Sequence, residues 1–472
     1  MLSSTALAAE KKKKLSLLNA VLARVLALLR QFFVIRGRSV DSVAVNRRVV
    51  VAGATGATGF ALLLTYIARG FCQTPYEVVH LMLHVGHTVM KTVAAYIARG
   101  FRPLYPNWTF RFEVLRAIMR CTTELYGHRA IVEMHAKHIR HTSSVLGSAV
   151  GWCYSKFHGS RVEPVHVNGL EHVWIKDHAP VTTKTATTGS AGSKDDIHFV
   201  VIYYHGGGYA VLSPRMYIYF CNTFRSAIRD ELARKYGDNT RVDFLLANYR
   251  KIPEHPFPIP AMDAVAMYDY VVEQLQIPSR RVIIAGDSAG AGLVMSTLLR
   301  VRDRDHDLRA LPLAGILMCP CADLSESEKL EPSPYCVLSQ SMIDASRQAY
   351  HLTSHDRATW LDASPAHCDL RNLPPVFLQT ATLDSLHAHS KELIKKVQLD
   401  GVSNWEIDIQ HDVPHVFTVF PTIVLPYAMV GIQNMAVFAA KHFHESTLPE
   451  HQDNGGVVTK KSGSKVAEVQ LF

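Results

Sequence analysis

One serine in this sequence lies in a setting that produces a nucleophile. The stretch "VIIAGDSAGAG" places Ser288 between Gly286 and Gly290, directly after an apolar run and directly before a run with helical spacing. A sharp turn from strand to helix admits only small residues two positions to either side, and it raises the hydroxyl above the sheet edge. This stretch, which includes Asp287 and Ala289, therefore predicts a G-x-S-x-G nucleophile elbow.

A second glycine cluster offers donors for the negative charge that a serine nucleophile creates on a carbonyl oxygen. The motif "HGGG", His205 to Gly208, follows the apolar run "FVVIYY". Glycines at such a position allow backbone N–H groups to point at a ligand. We expect the N–H groups of Gly206 and Gly207, with that of Ala289 after the serine, to form an oxyanion hole.

A serine nucleophile also needs a base and an acid that orients the base. After an elbow of this kind the three residues follow in the order Ser, Asp, His. Asp384 follows the predicted strand "VFLQTA", and His415 follows the predicted strand "WEIDIQ" after a short loop. Because functional groups gather at the carboxyl ends of parallel strands, we predict a triad of Ser288, Asp384 and His415.

Other histidines and the cysteines are competitors, either for the role of base or as metal ligands. His387 and His389 are predicted to begin a helix, and any single histidine is more often a surface residue. His411 and His415 are four residues apart, as in some metal sites, but Pro414 argues against a shared helical face. None of the eight cysteines has a paired C-x-x-C spacing. We therefore expect no metal and no cofactor.

The stretch "VVVAGATGATGF", from Val49 to Phe60, is similar to the glycine-rich turn of a dinucleotide-binding site. Such a site needs an acidic residue at the end of the second strand, about 20 residues further on. Glu77 instead precedes an apolar stretch. We interpret the glycines as small residues on a membrane helix, and an oxidoreductase is the weaker alternative.

From about residue 165 the sequence alternates short apolar strands with helices. Strands bounded by turns and separated by helices are typical of an α/β fold with a mostly parallel, doubly wound sheet. The polar stretch 181–196 is predicted as an inserted loop, and 446–472 as a polar tail.

Between about residues 199 and 443 the sequence resembles the hormone-sensitive-lipase-like branch of the α/β-hydrolases, which includes arylacetamide deacetylases, sterol acetyl esterases and carboxylesterases. The resemblance rests on "HGGGY", "ANYRKIPEHPFPIPAMDA", "GDSAGAG", "SPAHCDLRNLPPVF", "TATLDSL" and "HDVPHVF", in that order. It implies that Ser288 is the nucleophile, Asp384 the orienting acid and His415 the base.

The resemblance also implies an α/β-hydrolase catalytic domain, over residues 165–445. A helical cap that selects the acyl group would be built from 105–164 and about 326–359. The implied activity is that of a serine esterase acting on a small-molecule ester with a short or medium acyl chain. The alternative is a non-catalytic receptor or binding protein with the same fold, and the oligomeric state is left open.

The first 104 residues have a different composition. Residues 1–120 carry 17 Lys and Arg against 4 Asp and Glu, whereas the remainder carries 33 against 37. These charges interrupt long apolar runs, which favours membrane lipid over nucleic acid as the partner. Residues 15–35 have helical apolar spacing, and Val49–Ala68 is uncharged and long enough to span a bilayer.

Charge asymmetry predicts the orientation of that span. Ten Lys and Arg precede Val49, and the positive-inside rule keeps such a flank cytosolic. We expect residence in the endoplasmic reticulum membrane with the catalytic domain in the lumen, where the sequon at Asn107 would be accessible. The cytosolic face of a membrane and the mitochondrion are the alternatives.

Overall fold

The structure is a computed structural model that describes residues 65–177, 198–238, 240–304, 310–325, 330, 332–351 and 361–448. The predicted helix 15–35, the loop 181–196 and most of the predicted Val49–Ala68 span lie outside these residues, as does most of the polar tail. The glycine-rich stretch considered as a dinucleotide site lies outside them too. In the part of the chain that is described, no helix is both long and apolar enough to cross a membrane.

Eight strands form one sheet. They are β1 (Ser160–Val167), β2 (Leu170–Asp177), β3 (His198–Tyr204), β4 (Arg241–Ala247), β5 (Val282–Asp287), β6 (Ala314–Met318), β7 (Val376–Ala381) and β8 (Trp405–Gln410). Their order across the sheet is β1-β2-β4-β3-β5-β6-β7-β8. The hairpin β1–β2 is antiparallel and joins β4 antiparallel, and all other neighbours are parallel. The predicted α/β-hydrolase fold with a mostly parallel sheet is confirmed.

Nine helices accompany these strands in the described ranges. They are α1 (Pro75–Ala98), α2 (Phe110–Tyr126), α3 (Glu133–His158), α4 (Ile218–Tyr236), α5 (Ile259–Asp269), α6 (Ala289–Arg304), α7 (Gln340–Tyr350), α8 (His387–Leu399) and α9 (Ala428–Glu445). Two helix ends have the capping residues that are typical of such positions. Thr74 and Glu77 form a capping box at the start of α1, and Gly159 ends α3 in the left-handed conformation.

The core lies on both faces of the sheet because successive side chains of a strand point to opposite sides. On β3, Val200 and Ile202 pack into one apolar layer, and Phe199 and Val201 into the other. Side chains of α5, α6 and α8 belong to the first layer, and those of α4 and α9 to the second. This doubly covered sheet is the rigid support for the loops at its carboxyl edge.

Helices from two separate parts of the chain cover that edge. Side chains of α2, α3 and α7 line one cavity together with Ser288. The 3-10 turn Gly127–Ile131 packs against α7, which brings the 105–164 segment and the 326–359 segment into contact. The described parts of both segments therefore lie over the site.

Candidate active site

Ser288 lies at the strand-to-helix turn between β5 and α6. Its φ is +53°, a left-handed conformation that is strained for a residue with a side chain. A Cβ on Gly286 would lie 2.5 Å from the carbonyl oxygen of Gly290, and a Cβ on Gly290 would lie 2.0 Å from that of Tyr204. The backbone therefore requires glycine at both positions, which is the physical reason for the motif.

Asp384 and His415 meet beyond the carboxyl ends of β7 and β8. His415 Nδ1 lies 2.8 Å from Asp384 Oδ2, and both side chains are buried. Because an ionised carboxylate only accepts hydrogen bonds, Nδ1 carries the proton and donates it. Nε2 of a neutral His415 is then left with a free lone pair, which is the form that a general base needs.

The second oxygen of Asp384 is also held in place. Oδ1 accepts a hydrogen bond from the backbone N–H of Leu386 at 2.8 Å, and the thiol of Cys336 donates to it at 3.7 Å. Burial raises the pKa of Cys336 to about 11, so this thiol keeps its proton at neutral pH. Cys336 comes from the cap segment, and its role in orienting the acid was not predicted from the sequence.

Ser288 and His415 line the same cavity. Among the described residues the Ser288 hydroxyl makes no hydrogen bond to the imidazole. Catalytic hydrogen bonds of this kind are often long without substrate and tighten when it binds. The structure thus brings the three predicted triad residues together, with the acid–base pair already formed.

The predicted oxyanion hole needs one correction. The backbone N–H of Gly206 donates to Asp287 Oδ1 at 2.8 Å and is therefore committed, and Gly206 does not line the cavity. The prediction for Gly206 is wrong. The N–H groups of Gly207, Gly208 and Ala289 have no hydrogen-bond partner in the described part of the chain, and all three residues line the cavity. These three are the candidate oxyanion donors.

Asp287 connects the elbow to the glycine loop. Besides the Gly206 N–H, its carboxylate accepts the hydroxyls of Tyr203 at 2.6 Å and of Tyr217 at 3.0 Å. Burial raises the pKa of Asp287, and these hydrogen bonds oppose that rise. The sequence marked Asp287 only as part of the motif. Its tyrosine partners lie on β3 and before α4, at positions that no local pattern connects to the elbow.

His205 supports the glycine loop and is not a second base. Its ring stacks on Tyr249 with centroids 4.7 Å apart, and the Tyr249 hydroxyl donates to the His205 carbonyl at 2.8 Å. Burial holds the pKa of His205 well below its ordinary value, so the ring stays neutral. Arg140 of α3 braces the end of the same loop, because its Nε donates to the carbonyl of Ala210 at 2.6 Å.

The three competing histidines occupy different environments. His411 is exposed, whereas His415 four residues later is buried. Nδ1 of His387 lies 3.0 Å from Thr380 Oγ1 at the start of α8. His389 is buried and lines the cavity. His415 is therefore the histidine that the structure pairs with the acid.

Within the described ranges, one group of residues has the chemistry of metal ligands. The ligand atoms of Cys319, Asp384 and His415 all lie within 4.8 Å of one another. Cys319 is fully enclosed, and its burial raises the pKa of the thiol well above the ordinary value. A metal ion binds the thiolate, and here it would also displace the hydrogen bond between Asp384 and His415. The arrangement therefore fits a triad with a neutral thiol beside it better than a metal site.

The cavity that Ser288 and His415 share has a volume of about 550 Å³, within the ordinary range for small-molecule sites. Its walls are mostly aliphatic. The cap contributes the side chains Leu115, Met119, Ile139, Leu338, Met342 and Ile343. A ligand that fills this space therefore has a largely apolar body.

Residues 201–419 match the family described as having the alpha/beta hydrolase fold. An acetyl-hydrolase of Streptomyces hygroscopicus is 34% identical over 196 residues, which are 41% of this chain and 60% of that protein. An esterase of Acinetobacter venetianus is 30% identical over 242 residues, which are 50% of this chain and 69% of that protein. The structure of an esterase from the bacterial hormone-sensitive lipase family is 25% identical, with a TM-score of 0.51 over 65% of this chain and 92% of that one. The chain thus spans less than two thirds of the length of the acetyl-hydrolase. The predicted resemblance to the hormone-sensitive-lipase-like branch is confirmed.

Proposed function

This chain belongs to the alpha/beta hydrolase fold family, and we propose that it is a serine esterase that cleaves carboxylic esters through an acyl-enzyme. One observation carries the proposal. The Asp384–His415 pair, joined at 2.8 Å, opens on the same cavity as the strained Ser288. Names of relatives such as acetyl-hydrolase and esterase support this reaction class.

The reaction begins with attack of Ser288 Oγ on the ester carbonyl carbon. His415 Nε2 takes the hydroxyl proton as the Oγ–C bond forms, and Asp384 stabilises the resulting imidazolium. When the tetrahedral intermediate collapses, the C–O bond to the alcohol breaks and His415 returns the proton to the leaving oxygen. Water then attacks the acyl-enzyme by the same route, releasing the carboxylic acid and restoring the Ser288 hydroxyl.

Backbone donors stabilise both tetrahedral intermediates. The N–H groups of Gly207, Gly208 and Ala289 are uncommitted within the described ranges, and these residues line the cavity that holds Ser288. Donors that are already oriented toward the developing oxyanion lower the barrier without reorganising. No protein group other than these and the triad is needed for the two half-reactions.

The lipophilic nature of the substrate follows from the walls of the cavity. Its apolar lining gains free energy when an aliphatic or aromatic substrate displaces water. Phe71, which lies within the first 104 residues, is part of this lining. We therefore propose esters with a short or medium acyl chain and a lipophilic body as the substrate class.

The esterase proposal is tested by replacing the nucleophile. Ser288→Ala should abolish covalent labelling by a fluorophosphonate and reduce hydrolysis of a short aryl ester by several orders of magnitude. Ser296→Ala is the matched control and should retain labelling. Ser296 lies on α6, the helix that follows Ser288, and its hydroxyl donates to the carbonyl of Asp362. A receptor with this fold would bind an ester without turnover and without labelling, so labelling at Ser288 decides between the two classes.

We further propose that the N-terminal region holds the protein at the endoplasmic reticulum membrane, with its amino terminus in the cytosol. The apolar, basic composition of residues 1–64 supports this location. Helix α1 adds a row of exposed apolar side chains, Tyr76, Val79, Leu83 and Met90. Exposed apolar surface of this extent is typical of contact with lipid or protein.

Protease digestion of sealed microsomes tests the orientation. The catalytic domain should be protected until detergent is added, and Asn107→Gln should remove a glycosidase-sensitive increase in mass. Asn107 is partly exposed, and Thr109 of the same sequon begins α2 as its N-cap. Digestion without detergent would place the esterase on the cytosolic face.

A further inference from the structure

Two polar side chains outside the triad lie in the lining of the apolar cavity. Arg347 of α7 and His389 of α8 both line it, with only 7% and 4% of their surfaces exposed. The mechanism proposed above uses neither residue. A buried guanidinium in an apolar wall is unfavourable unless it has a counter-charge or several hydrogen bonds.

Arg347 is poorly satisfied within the protein. Its Nη1 donates to the carbonyl of Leu324 at the long distance of 3.4 Å, and its buried Nε has no partner in the described part of the chain. Over the described ranges, no carboxylate oxygen lies within 4.0 Å of the guanidinium. Arg347 thus adds a positive charge and weakly satisfied N–H donors to the cavity lining.

Among the described residues, Asp287 and Asp323 are the two carboxylates in the cavity lining, and both are already engaged, Asp287 by Tyr203 and Tyr217. Asp323 Oδ1 accepts the backbone N–H of Ser325 at 2.9 Å and lies 3.2 Å from His367 Nε2. Burial raises the pKa of Asp323, but the hydrogen bonds from His367 and Ser325 outweigh it and hold the pKa well below the ordinary value. Asp323 is therefore ionised and directed to His367, and it does not neutralise Arg347.

His389 is a neutral neighbour with an unused ring nitrogen. Its Nδ1 is buried and has no hydrogen-bond partner among the residues that the structure describes. Burial lowers the pKa of His389 to about 4, so the ring carries no charge at neutral pH. Among the residues that line the cavity, Arg347 therefore supplies a positive charge and His389 an additional hydrogen-bonding group.

We propose that the esters processed here carry a carboxylate, which Arg347 binds as an ion pair while His389 donates a hydrogen bond to it. This inference rests on the proposed esterase function and specifies its substrate class. A carboxylate brings one negative charge and two oxygens, which match one guanidinium fork. A phosphate monoester carries about −1.5 to −2 charges at pH 7, and the second charge would stay uncompensated in an apolar cavity.

The carboxylate should lie a short distance from the ester bond. Helix α7 touches the oxyanion loop on both sides of Arg347. Ser346 Oγ lies 2.8 Å from the position that a Cβ on Gly208 would occupy, and Tyr350 stacks on Tyr209 with centroids 3.7 Å apart. Because Arg347 follows Ser346 in this helix, we take half-esters of short dicarboxylic acids and acyl esters of small hydroxy acids as the candidate substrates.

Two substrate pairs test the proposal and locate the charge. The first compares the mono-p-nitrophenyl ester of glutaric acid with p-nitrophenyl hexanoate, which places the carboxylate on the acyl side. The second compares 4-acetoxybenzoate with 4-methylphenyl acetate, which places it on the alcohol side. For each pair, the measured quantity is kcat/KM of the charged ester divided by kcat/KM of the neutral ester. For the pair whose carboxylate reaches Arg347, this ratio should be about tenfold or more lower in Arg347→Met than in the wild type, as expected for loss of a charged hydrogen bond. Arg347→Lys should retain part of that ratio.

Arg116→Met is the matched control. Arg116 also has a buried Nε without a partner and donates to one backbone carbonyl, that of Pro334, but it does not line the cavity. This variant should leave both ratios unchanged. If Arg347→Met also leaves both ratios unchanged while the midpoint of thermal unfolding falls, Arg347 is a structural residue and the proposal is overturned.

A binding measurement separates this inference from the esterase function. Ser288→Ala should bind the uncleaved charged ester by calorimetry at least about tenfold more tightly than its neutral partner, and the double variant with Arg347→Met should lose this difference. Absence of turnover in the wild type with preserved selective binding would refute the esterase function alone. Turnover of neutral esters with no charge preference in binding would refute the role of Arg347 alone.

Discussion

The backbone N–H of Gly206 donates to Asp287 Oδ1 at 2.8 Å, although the two residues are 81 positions apart in the chain. The residue before the nucleophile therefore holds the first glycine of the oxyanion loop. Because Ser288 and Gly207 each follow one partner of this bond directly, it sets the distance between the nucleophile and the oxyanion donors. A change in this bond should affect the rate more than the binding of the substrate.

Replacement of Asp287 by Ala should lower kcat by about tenfold to a hundredfold, with a smaller change in KM. The substitution leaves the hydroxyls of Tyr203 and Tyr217 and the Gly206 N–H without their acceptor, and each buried unsatisfied donor costs about 1–3 kcal/mol. Steady-state kinetics and the rate of fluorophosphonate labelling measure the effect on the folded enzyme.

Asp243→Ala controls for loss of stability in this experiment. Asp243 on β4 is equally buried and accepts hydrogen bonds from His198 and Arg241, but it does not line the cavity. Its replacement should lower the free energy of unfolding and leave kcat of the folded enzyme near the wild-type value. An equal loss of kcat in both variants would contradict a specific role for Asp287.

His415→Ala should reduce kcat/KM by several orders of magnitude, because His415 is the group that takes the proton from Ser288. His411→Ala is the natural control, since His411 lies four residues earlier in the same loop but is exposed. His387→Ala should also keep most of the activity. Comparable losses in His387→Ala and His415→Ala would show that the base was assigned to the wrong histidine.

The part of the site that depends on local sequence could be predicted. The elbow is confined to five residues, and the geometry of Gly286 and Gly290 explains why both are glycine. Strands such as β3 and β5 are buried on both faces, so they appear as continuous apolar runs whose ends could be located. The positions of Asp384 and His415 followed from the ends of two further strands.

Contacts made by side chains from distant segments could not be predicted. The use of the Gly206 N–H by Asp287 depends on how two strand ends are placed in space, which no local spacing encodes. Cys336 and Arg347 belong to the cap. The sequence of a helix such as α7 shows which of its faces is apolar, but not against which segment that face packs. A polar residue on a helix at the surface usually points to solvent, so the position of Arg347 in the cavity lining was visible only in the structure.

Stability should fall as the pH is lowered from 7 to 5, in part because of His172. Burial lowers the pKa of His172 to about 4, against about 6.5 in the unfolded chain. Between these values the unfolded state binds more protons, so the free energy of unfolding decreases with falling pH, by about 2 kcal/mol at pH 5 for this residue. Protonation is unfavourable because His172 Nδ1 accepts the backbone N–H of Asn248 at 3.0 Å.

Denaturant unfolding at pH 7 and pH 5 measures this contribution. His172→Gln cannot titrate, so the difference in the free energy of unfolding between the two pH values should shrink. His411→Gln removes an exposed histidine and should leave that difference unchanged. If the free energy of unfolding of both variants falls between pH 7 and pH 5 by as much as that of the wild type, His172 is not the residue responsible.

The elbow should tolerate no side chain at its second glycine. Gly290→Ala would place a Cβ 2.0 Å from the Tyr204 carbonyl oxygen, a rigid backbone atom of β3, so α6 must shift and carry Ser288 and Ala289 out of register with the oxyanion loop. We expect folded protein with labelling by fluorophosphonate at least about a hundredfold slower, or failure to fold.

Gly86→Ala is the matched control for this substitution. Gly86 lies in the exposed part of α1, and a Cβ added there would have no described atom within 4 Å. That change should raise the free energy of unfolding by about 1 kcal/mol through helix propensity and leave labelling unchanged. A Gly290→Ala enzyme that labels as fast as the wild type would mean that the nucleophile does not depend on this turn.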